Sequence, residues 1–346
     1  MILWPSFLEK FIKLMKAITY AKYGSPDVLK VKEIEKPNPK DDEVLIKVQA
    51  AEVTKADCEM RSFHFQVKWF WLLLRIVLGL WKPKRQVLGG YFAGEVEAFG
   101  KDVARFRKGD QVFGSTQLRL GAHGEYICLP ARYTIVPKPH NVSFEKAAAV
   151  ILGGLNALHF MRRANIQRGE KVLVNGAGGS IGIYAVQIAK GMGAEVTAVD
   201  SSHKEQLLRR IGADHFIDYA REDFRKGDHR YDVIFSVVAT DTYTQCIQAL
   251  NPKGRYVMAN PRLVDMLRAV LTSRLTDKTV IVALAGEKQE ELLELKQMIE
   301  AKRIQPVVDR IYSMEQAAEA HRRVETEQRT GSVVISFKGK KYSRLD

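Results

Sequence analysis

The chain has 346 residues, of which 46% are hydrophobic, enough to bury substantial cores and to favour two globular domains. Its formal net charge is +14, but the basic residues are scattered and no nucleic-acid-binding motif accompanies them, which argues against a nucleic-acid partner. The widely spaced Cys58, Cys128 and Cys246 exclude a disulfide framework and a cysteine-rich zinc lobe, and they are typical of a reducing, cytoplasmic compartment.

Residues 1–14 are predicted to form an amphipathic extension ahead of the first domain. Apolar pairs recur every four residues, with Lys10 and Lys13 between them, so a helix here would carry one apolar stripe. The segment is too short to cross a bilayer and has no small-residue cleavage site. Three interpretations stay open: an overlong start assignment, a helix docked on the body, or a helix making weak contact with a membrane surface.

Residues 15–150 are predicted to form a mostly β domain. Short runs alternate apolar and polar side chains and are separated by Gly, Pro, Asn and Asp, as in β-strands. These runs occupy residues 15–24, 28–37, 42–53, 87–100, 110–115 and 122–130, and an alanine-rich helix follows at 144–163.

One apolar stretch, residues 63–84, interrupts this alternation. Residues 69–81 are nearly all apolar, but thirteen residues are too few for a transmembrane helix. A helix packed on the domain's own core and a lipophilic lid over a substrate cleft both fit the pattern.

Residues 171–200 read as a βαβ unit with a glycine-rich first turn. A valine-rich run at 171–175 predicts a buried strand, residues 183–192 have helical periodicity, and a second apolar run ends on Asp200. Glycines in such a turn let the backbone approach a pyrophosphate at the helix N-terminus, and an acidic residue at this spacing binds a ribose hydroxyl. We therefore predict a nicotinamide-dinucleotide site formed by Gly176, Ala177, Gly178, Gly179, Ser180, Ile181, Gly182 and Asp200.

The chain after Asp200 continues to alternate helices and strands, which predicts a doubly wound parallel sheet over residues 151–290. Further strands are expected near 213–219, 231–240, 254–261 and 278–286, and the last of these is an apolar edge strand. A helix over 289–304 and two final strands make up the C-terminal segment, residues 291–346. Val238, Ala259 and Asn260, at strand ends, are further predicted cofactor contacts.

The whole pattern resembles the medium-chain dehydrogenase/reductase superfamily, most closely its quinone oxidoreductase branch and the bacterial NAD(P)-dependent alcohol dehydrogenase-like proteins near it. The matching segments are KAITYAKYGSPDVLKV, DEVLIKV, RFRKGDQVFG, VNGAGGSIGIYAVQIAK, GADHFIDY and TGSVVISF. The resemblance implies an α/β fold: a GroES-like catalytic domain, to which residues 291–346 return, and a Rossmann domain across a cleft. It also implies a homodimer joined through the edge strand at 278–286, unless residues 263–276 cover that edge as a loop.

The zinc ligands of the superfamily's zinc enzymes are replaced in this chain. Their positions resemble Thr54, Gly90 with Tyr91, and Leu152, and a catalytic zinc needs three N, S or O ligands from the protein. Without zinc, hydride addition to a quinone or to an α,β-unsaturated carbonyl is easier than to an isolated ketone, because the charge spreads into an enolate. We expect no metal and a lipophilic acceptor of that kind. An alcohol or aldehyde dehydrogenase, a catalytically silent nucleotide-binding protein and a peripheral membrane protein are the alternatives.

The catalytic residues are weakly specified by the resemblance. Asp57 and Arg61 match a D-x-x-x-R spacing at the cleft but equally suit a structural ion pair. Tyr91 stands where relatives commonly have an acid, and it suits either a phenolic proton donor or a packed side chain. Asn156 replaces a threonine that relatives carry beside the nicotinamide.

Cofactor preference rests on conflicting residues. Asp200 would repel a 2′-phosphate and bind a free 2′-hydroxyl. Ser201 and Lys204 follow it, however, and Tyr219 matches a family tyrosine on the adenosine side. We expect NAD(P)H as cofactor with a preference for NADH, and NADPH stays open.

Overall fold

The computed structural model describes residues 13–65, 76, 78–226, 229–238, 242–283 and 286–338. Residues 1–12 of the predicted extension lie outside the described residues, as do residues 66–75 and 77 of the apolar stretch at 63–84.

The first half of the chain forms a β-rich unit. Its strands are β1 (Leu14–Thr19), β2 (Lys30–Glu35), β3 (Glu43–Val53), β4 (Tyr91–Phe99), β5 (Gln111–Ser115), β6 (Tyr126–Pro130) and β7 (Ile135–Pro137). A short helix, α1 (Lys55–Ser62), follows β3, and a long one, α2 (Phe144–Ala164), leads out of the unit. Strands β3, β4, β5 and β7 pair in that order, with β6 also on β3, while β1 and β2 pair with each other.

The second half contains a parallel sheet. Its strands are β8 (Lys171–Asn175), β9 (Glu195–Asp200), β10 (His215–Asp218), β11 (Tyr231–Ser236), β12 (Leu250–Met258) and β13 (Thr279–Val282). Their order, β10-β9-β8-β11-β12-β13, is doubly wound and places β13 at an edge. The connecting helices are α3 (Gly182–Gly191), α4 (Glu205–Arg210), α5 (Tyr243–Gln248) and α6 (Leu263–Leu275).

The C-terminal segment returns to the first sheet. After α7 (Gln289–Glu300), strand β14 (Val308–Tyr312), helix α8 (Ala317–Glu325) and strand β15 (Ser332–Ser336) complete the fold. Strand β15 pairs antiparallel with β3, with Val334 opposite Glu52. The predicted architecture, a GroES-like domain with a parallel Rossmann sheet, is therefore confirmed. The domain boundaries at residues 14, 150 and 290 stay predictions.

One apolar core joins the two halves. Helix α2 supplies alanines and larger apolar side chains that pack against β3, β4 and β5 on one side and the Rossmann sheet on the other. Close packing is required here, because a Cβ on Gly153 of α2 would come within 2.0 Å of the Ser180 carbonyl oxygen. Helix α2 thereby fixes the glycine-rich turn relative to the catalytic domain.

Residues 263–275 form a helix and not the loop that the sequence suggested. Helix α6 packs inward through Asp265 and Ala269, while Leu267 and Leu271 are exposed. Among the described residues, no helix is both long enough and apolar enough to cross a membrane.

Candidate nucleotide site and active-site cleft

The glycine-rich turn joins β8 to α3 and has the conformation that a dinucleotide site requires. Gly176 has φ of +82°, a region that glycine adopts without strain. A Cβ on Gly182 would lie 2.2 Å from the Gly176 carbonyl oxygen, so that glycine serves helix–strand packing. A Cβ on Gly179 would have only that same oxygen near it, at 3.4 Å. The Gly179 side of the turn is therefore open, as a bound pyrophosphate needs.

The other predicted residues of the turn make structural contacts around it. The Ala177 amide donates to the Val199 carbonyl at 3.1 Å, which ties the turn to β9. Ile181 occupies the N-cap position of α3, so the helix N-terminus and its partial positive charge face the same open side. Ser180 is buried beside α2.

Asp200 lies at the carboxyl end of β9 and faces the turn. Its Oδ2 accepts a hydrogen bond from the Gly178 amide at 2.7 Å, and its Oδ1 accepts one from the Ser201 amide at 2.8 Å. The Lys204 ammonium lies 2.8 Å from the same Oδ1, and both side chains are buried. The carboxylate is thus held beside the glycine-rich turn, and its charge is balanced by a lysine.

The neighbouring strand ends complete the edge of this site. Tyr219 donates its backbone amide to the Asp200 carbonyl, and its side chain is exposed. Val238 is next to the turn, since a Cβ on Gly176 would lie 3.0 Å from a Val238 methyl group. Ala259 packs against the large core, and the Asn260 amide group donates to the Val237 carbonyl at 3.0 Å. The structure therefore brings these predicted residues together at the carboxyl ends of parallel strands, where α/β sheets bind nucleotides.

Asn156 lies on α2. Its side-chain amide donates to the Leu152 carbonyl at 2.8 Å, one turn earlier in the helix.

Asp57 and Arg61 lie on α1, but each has a different partner. Asp57 caps the helix through the Thr54 amide and hydroxyl, at 2.8 and 2.6 Å, and its other oxygen accepts from the Gly89 amide at 3.0 Å. Arg61 is buried and pairs with Glu325 at the end of α8. The structural contacts of these two residues are thus clear, whereas their catalytic roles stay a hypothesis.

Tyr91 has a partner that the sequence did not suggest. Its hydroxyl donates to Glu287 Oε1 at 2.6 Å, and the Ser115 hydroxyl donates to Glu287 Oε2. Burial, together with the Glu287 carboxylate beside it, raises the pKa of Tyr91 far above its ordinary value, so the phenol stays protonated. No local motif marks this contact, because Tyr91 on β4 and Glu287, between β13 and α7, are 196 positions apart.

The residues at the positions of the superfamily's zinc ligands make other contacts in this protein. Thr54 is the N-cap of α1, Gly90 borders open space, and the Leu152 carbonyl accepts from Asn156. Within the part of the chain that the structure describes, no group of three or more His, Cys, Asp or Glu side chains is arranged to hold a metal.

A buried acid, Glu52, lies on β3 near the domain junction. It is fully buried, and burial raises the pKa of its carboxyl to about 8. Its backbone carbonyl accepts a hydrogen bond from Nε2 of His123, which is buried too, at 3.1 Å.

Comparison with known proteins places the chain in a family. Residues 40–140 match the alcohol dehydrogenase GroES-like domain, and residues 211–335 match a family described as a zinc-binding dehydrogenase. The chain is 31% identical over 322 residues to a quinone oxidoreductase of Sus scrofa, covering 89% of this chain and 93% of the relative. It is 30% identical over 334 residues to a 2-methylene-furan-3-one reductase of Solanum lycopersicum, covering 93% and 79%.

A solved structure agrees with these matches. The quinone oxidoreductase from Coxiella burnetii superposes with a TM-score of 0.83 at 27% identity, covering 94% of this chain and all of that one. Together with the nucleotide turn and the two-sheet architecture, these likenesses confirm the predicted family: the chain belongs to the quinone oxidoreductase branch of the medium-chain dehydrogenase/reductase superfamily.

Proposed function

We propose that this protein is a zinc-independent oxidoreductase that transfers a hydride from NAD(P)H to a lipophilic quinone or α,β-unsaturated carbonyl. The observation that carries the proposal is the open Gly179 face of the turn, which leads into the N-terminus of α3, with Asp200 bound to the adjacent Gly178 amide. The names of the two relatives, a quinone and an enone reductase, point to the same acceptors.

The residues of the chain fit the cofactor. The N-terminus of α3 would hold the pyrophosphate, and Asp200 the adenosine ribose. Val238, Ala259 and Asn260 would border the nicotinamide half, with Asn156 on the facing helix. The bound cofactor supplies the hydride.

Zinc independence follows from the ligand positions. A threonine that caps a helix, a glycine and a leucine cannot supply the three ligands that a catalytic zinc requires. We therefore expect EDTA-treated protein to keep its activity.

The preference for NADH is proposed on the charge of Asp200. A carboxylate at the adenosine ribose would repel a 2′-phosphate, because like charges repel. The contact with Lys204 weakens this repulsion, so NADPH is expected to bind less well than NADH without being rejected.

We further propose a homodimer in the cytoplasm. Strand β13 is an edge strand, and the exposed apolar side chains of α6 lie next to it. A second copy of the chain would pair with the β13 edge and cover the apolar side chains of α6. A lipid surface would cover the side chains but supplies no backbone hydrogen bonds to a strand edge. We accordingly expect any contact with a membrane surface to be weak. Among the described residues, Cys58, Cys128 and Cys246 form no disulfide, which suits a reducing compartment.

The test is direct. Purified protein is mixed with NADH or NADPH and a panel of quinones and enones, and oxidation of the cofactor is followed by absorbance. Turnover supports the proposal. Tight dinucleotide binding without turnover on any acceptor would indicate the silent nucleotide-binding protein instead.

A further inference from the structure

Two hydroxyl groups of the catalytic domain converge on one carboxylate at the domain junction. Tyr91 on β4 and Ser115 on β5 are register partners in adjacent antiparallel strands. Their hydroxyls donate to the two oxygens of Glu287, which follows the carboxyl end of β13. The Thr134 hydroxyl donates to the Glu287 backbone carbonyl and holds that residue in place.

This cluster borders the proposed cleft. Tyr91 packs against the same core as Val237, Ala259 and Ala283, which follow the carboxyl ends of β11, β12 and β13. The preceding residue, Gly90, faces open space, since a Cβ there would meet nothing within 4 Å. Through Glu287, which follows β13, the two hydroxyls are linked to the end of the parallel sheet where the dinucleotide is expected.

The arrangement resembles an oxyanion site, with each hydroxyl donating to a different oxygen of one carboxylate. Two donors held by rigid strands and aimed at one negatively charged oxygen group are what stabilise developing charge in acyl and carbonyl chemistry. In this structure the negative group is a side chain of the protein itself, and its carboxylate oxygens stand in for the oxygen of an acceptor.

We propose that Tyr91 and Ser115 are the oxyanion-stabilising donors of the reductase, and that the Glu287 carboxylate occupies their site until an acceptor displaces it. This inference rests on the proposed function. A hydride from the bound cofactor adds to the β-carbon of an enone or to the conjugated system of a quinone. The C=C π electrons form the new enolate double bond while the C=O π electrons move onto oxygen, and the two hydroxyls bind the resulting oxyanion. A proton from water then completes the reduction. The charge stabilisation that zinc provides elsewhere is thus supplied by two hydroxyl groups.

The inference selects a class of acceptor. The oxygen must accept two hydrogen bonds at once, as a carbonyl oxygen with two lone pairs does. A ligand that is already anionic would meet the negative charge of Glu287 on its way in, so neutral quinones and enones are favoured.

The first test needs no turnover. The probe is 4-nitrophenol, whose ionisation is visible by absorbance, titrated with the full-length protein. Because removing Glu287 leaves both donors free, Glu287→Ala should bind the phenolate at least about tenfold more tightly and lower the pKa of the bound phenol by about one unit. Adding Tyr91→Phe or Ser115→Ala should abolish that gain.

Two further variants serve as controls for this titration. Glu290→Ala removes an exposed acid at the start of α7 and should behave as wild type. Glu287→Gln removes the charge while keeping the shape, so it should show part of the gain even if Glu287→Ala folds poorly. The inference is overturned if neither Glu287 variant binds the phenolate better than Glu290→Ala does.

Steady-state kinetics separate this inference from the proposed function. Glu287→Ala should lower KM for the acceptor about threefold or more, while Tyr91→Phe should lower kcat by roughly a hundredfold, with dissociation constants for NAD(P)H unchanged in both. Wild-type turnover with no effect of these variants would defeat the inference and leave the function standing. Absence of turnover in wild type would defeat the function, and the 4-nitrophenol titration would then decide the inference alone.

Discussion

The Lys204 ammonium lies 2.8 Å from Asp200 Oδ1, and this buried pair stands at the expected ribose end of the nucleotide site. Asp200→Ser should remove the repulsion and leave Lys204 free for a 2′-phosphate. We expect the ratio of kcat/KM for NADPH over NADH to rise about tenfold, which corresponds to roughly 1.4 kcal/mol. An unchanged ratio would show that Asp200 is not at the ribose.

The complementary variant is Lys204→Ala. It leaves the Asp200 carboxylate with hydrogen bonds from the Gly178 amide and from the Ser201 amide and hydroxyl but without its lysine, so NADPH should bind less well while NADH is little affected. Calorimetric dissociation constants for both nucleotides measure this. Equal losses for NADH and NADPH, accompanied by a lower melting temperature, would assign the lysine a purely structural role.

Two glycines of the turn should respond in opposite ways. Gly179→Val points a side chain into open space and should weaken dinucleotide binding by at least about tenfold with little change in stability. Gly182→Ala places a Cβ 2.2 Å from the Gly176 carbonyl oxygen and should cost about 1–3 kcal/mol of unfolding free energy. Calorimetry and denaturant unfolding measure the two effects. Full nucleotide affinity in Gly179→Val would contradict the site assignment.

The proposed dimer can be tested on its exposed apolar face. We expect a dimer by light scattering at micromolar concentration, and Leu267→Glu on α6, where the leucine is 70% exposed, should weaken it at least about tenfold. Ile281→Pro on β13 should also break it, since proline removes a backbone donor and fixes φ. Leu118→Glu, at a leucine that is 91% exposed in the catalytic domain, is the matched control. A monomeric wild type defeats the proposal.

Glu52 should make stability fall as pH rises. In the unfolded chain the carboxyl ionises near its ordinary pKa of 4.5, whereas in the folded protein it holds its proton up to about pH 8. Between these values the unfolded state binds fewer protons, so the free energy of unfolding falls by up to about 1.4 kcal/mol per pH unit and then levels off.

Glu52→Gln lacks this titration and should match wild type at about pH 5 and exceed its stability at about pH 8. Denaturant midpoints across that window measure the difference. A constant difference between the two proteins at every pH would mean that Glu52 does not titrate with a raised pKa.

The sequence predicted what local patterns encode. The unit from β8 to β9 was recognisable because its strand, turn, helix and terminal Asp200 are contiguous, and the predicted Val238, Ala259 and Asn260 follow strand ends of the same sheet. Contacts between distant residues were not predictable. Arg61 pairs with Glu325, and Tyr91 with Glu287, only because the segments after β13 return to the first domain.

Helix α6 was missed for a different reason. It begins after Arg262, which makes no side-chain cap bond, so the usual start signal is absent. Its apolar side chains point outward and its buried side carries Asp265 and Ala269, the reverse of the usual pattern for a surface helix.

The central claim, zinc-independent hydride transfer to a conjugated acceptor, is tested most directly by isotope transfer. EDTA-treated protein is incubated with an enone and NADH or NADPH that carries deuterium on the transferring carbon, and the product is examined by NMR. We expect deuterium on the β-carbon of a saturated ketone. Deuterium on the carbonyl carbon of an alcohol, or loss of all transfer after EDTA treatment, would contradict the claim.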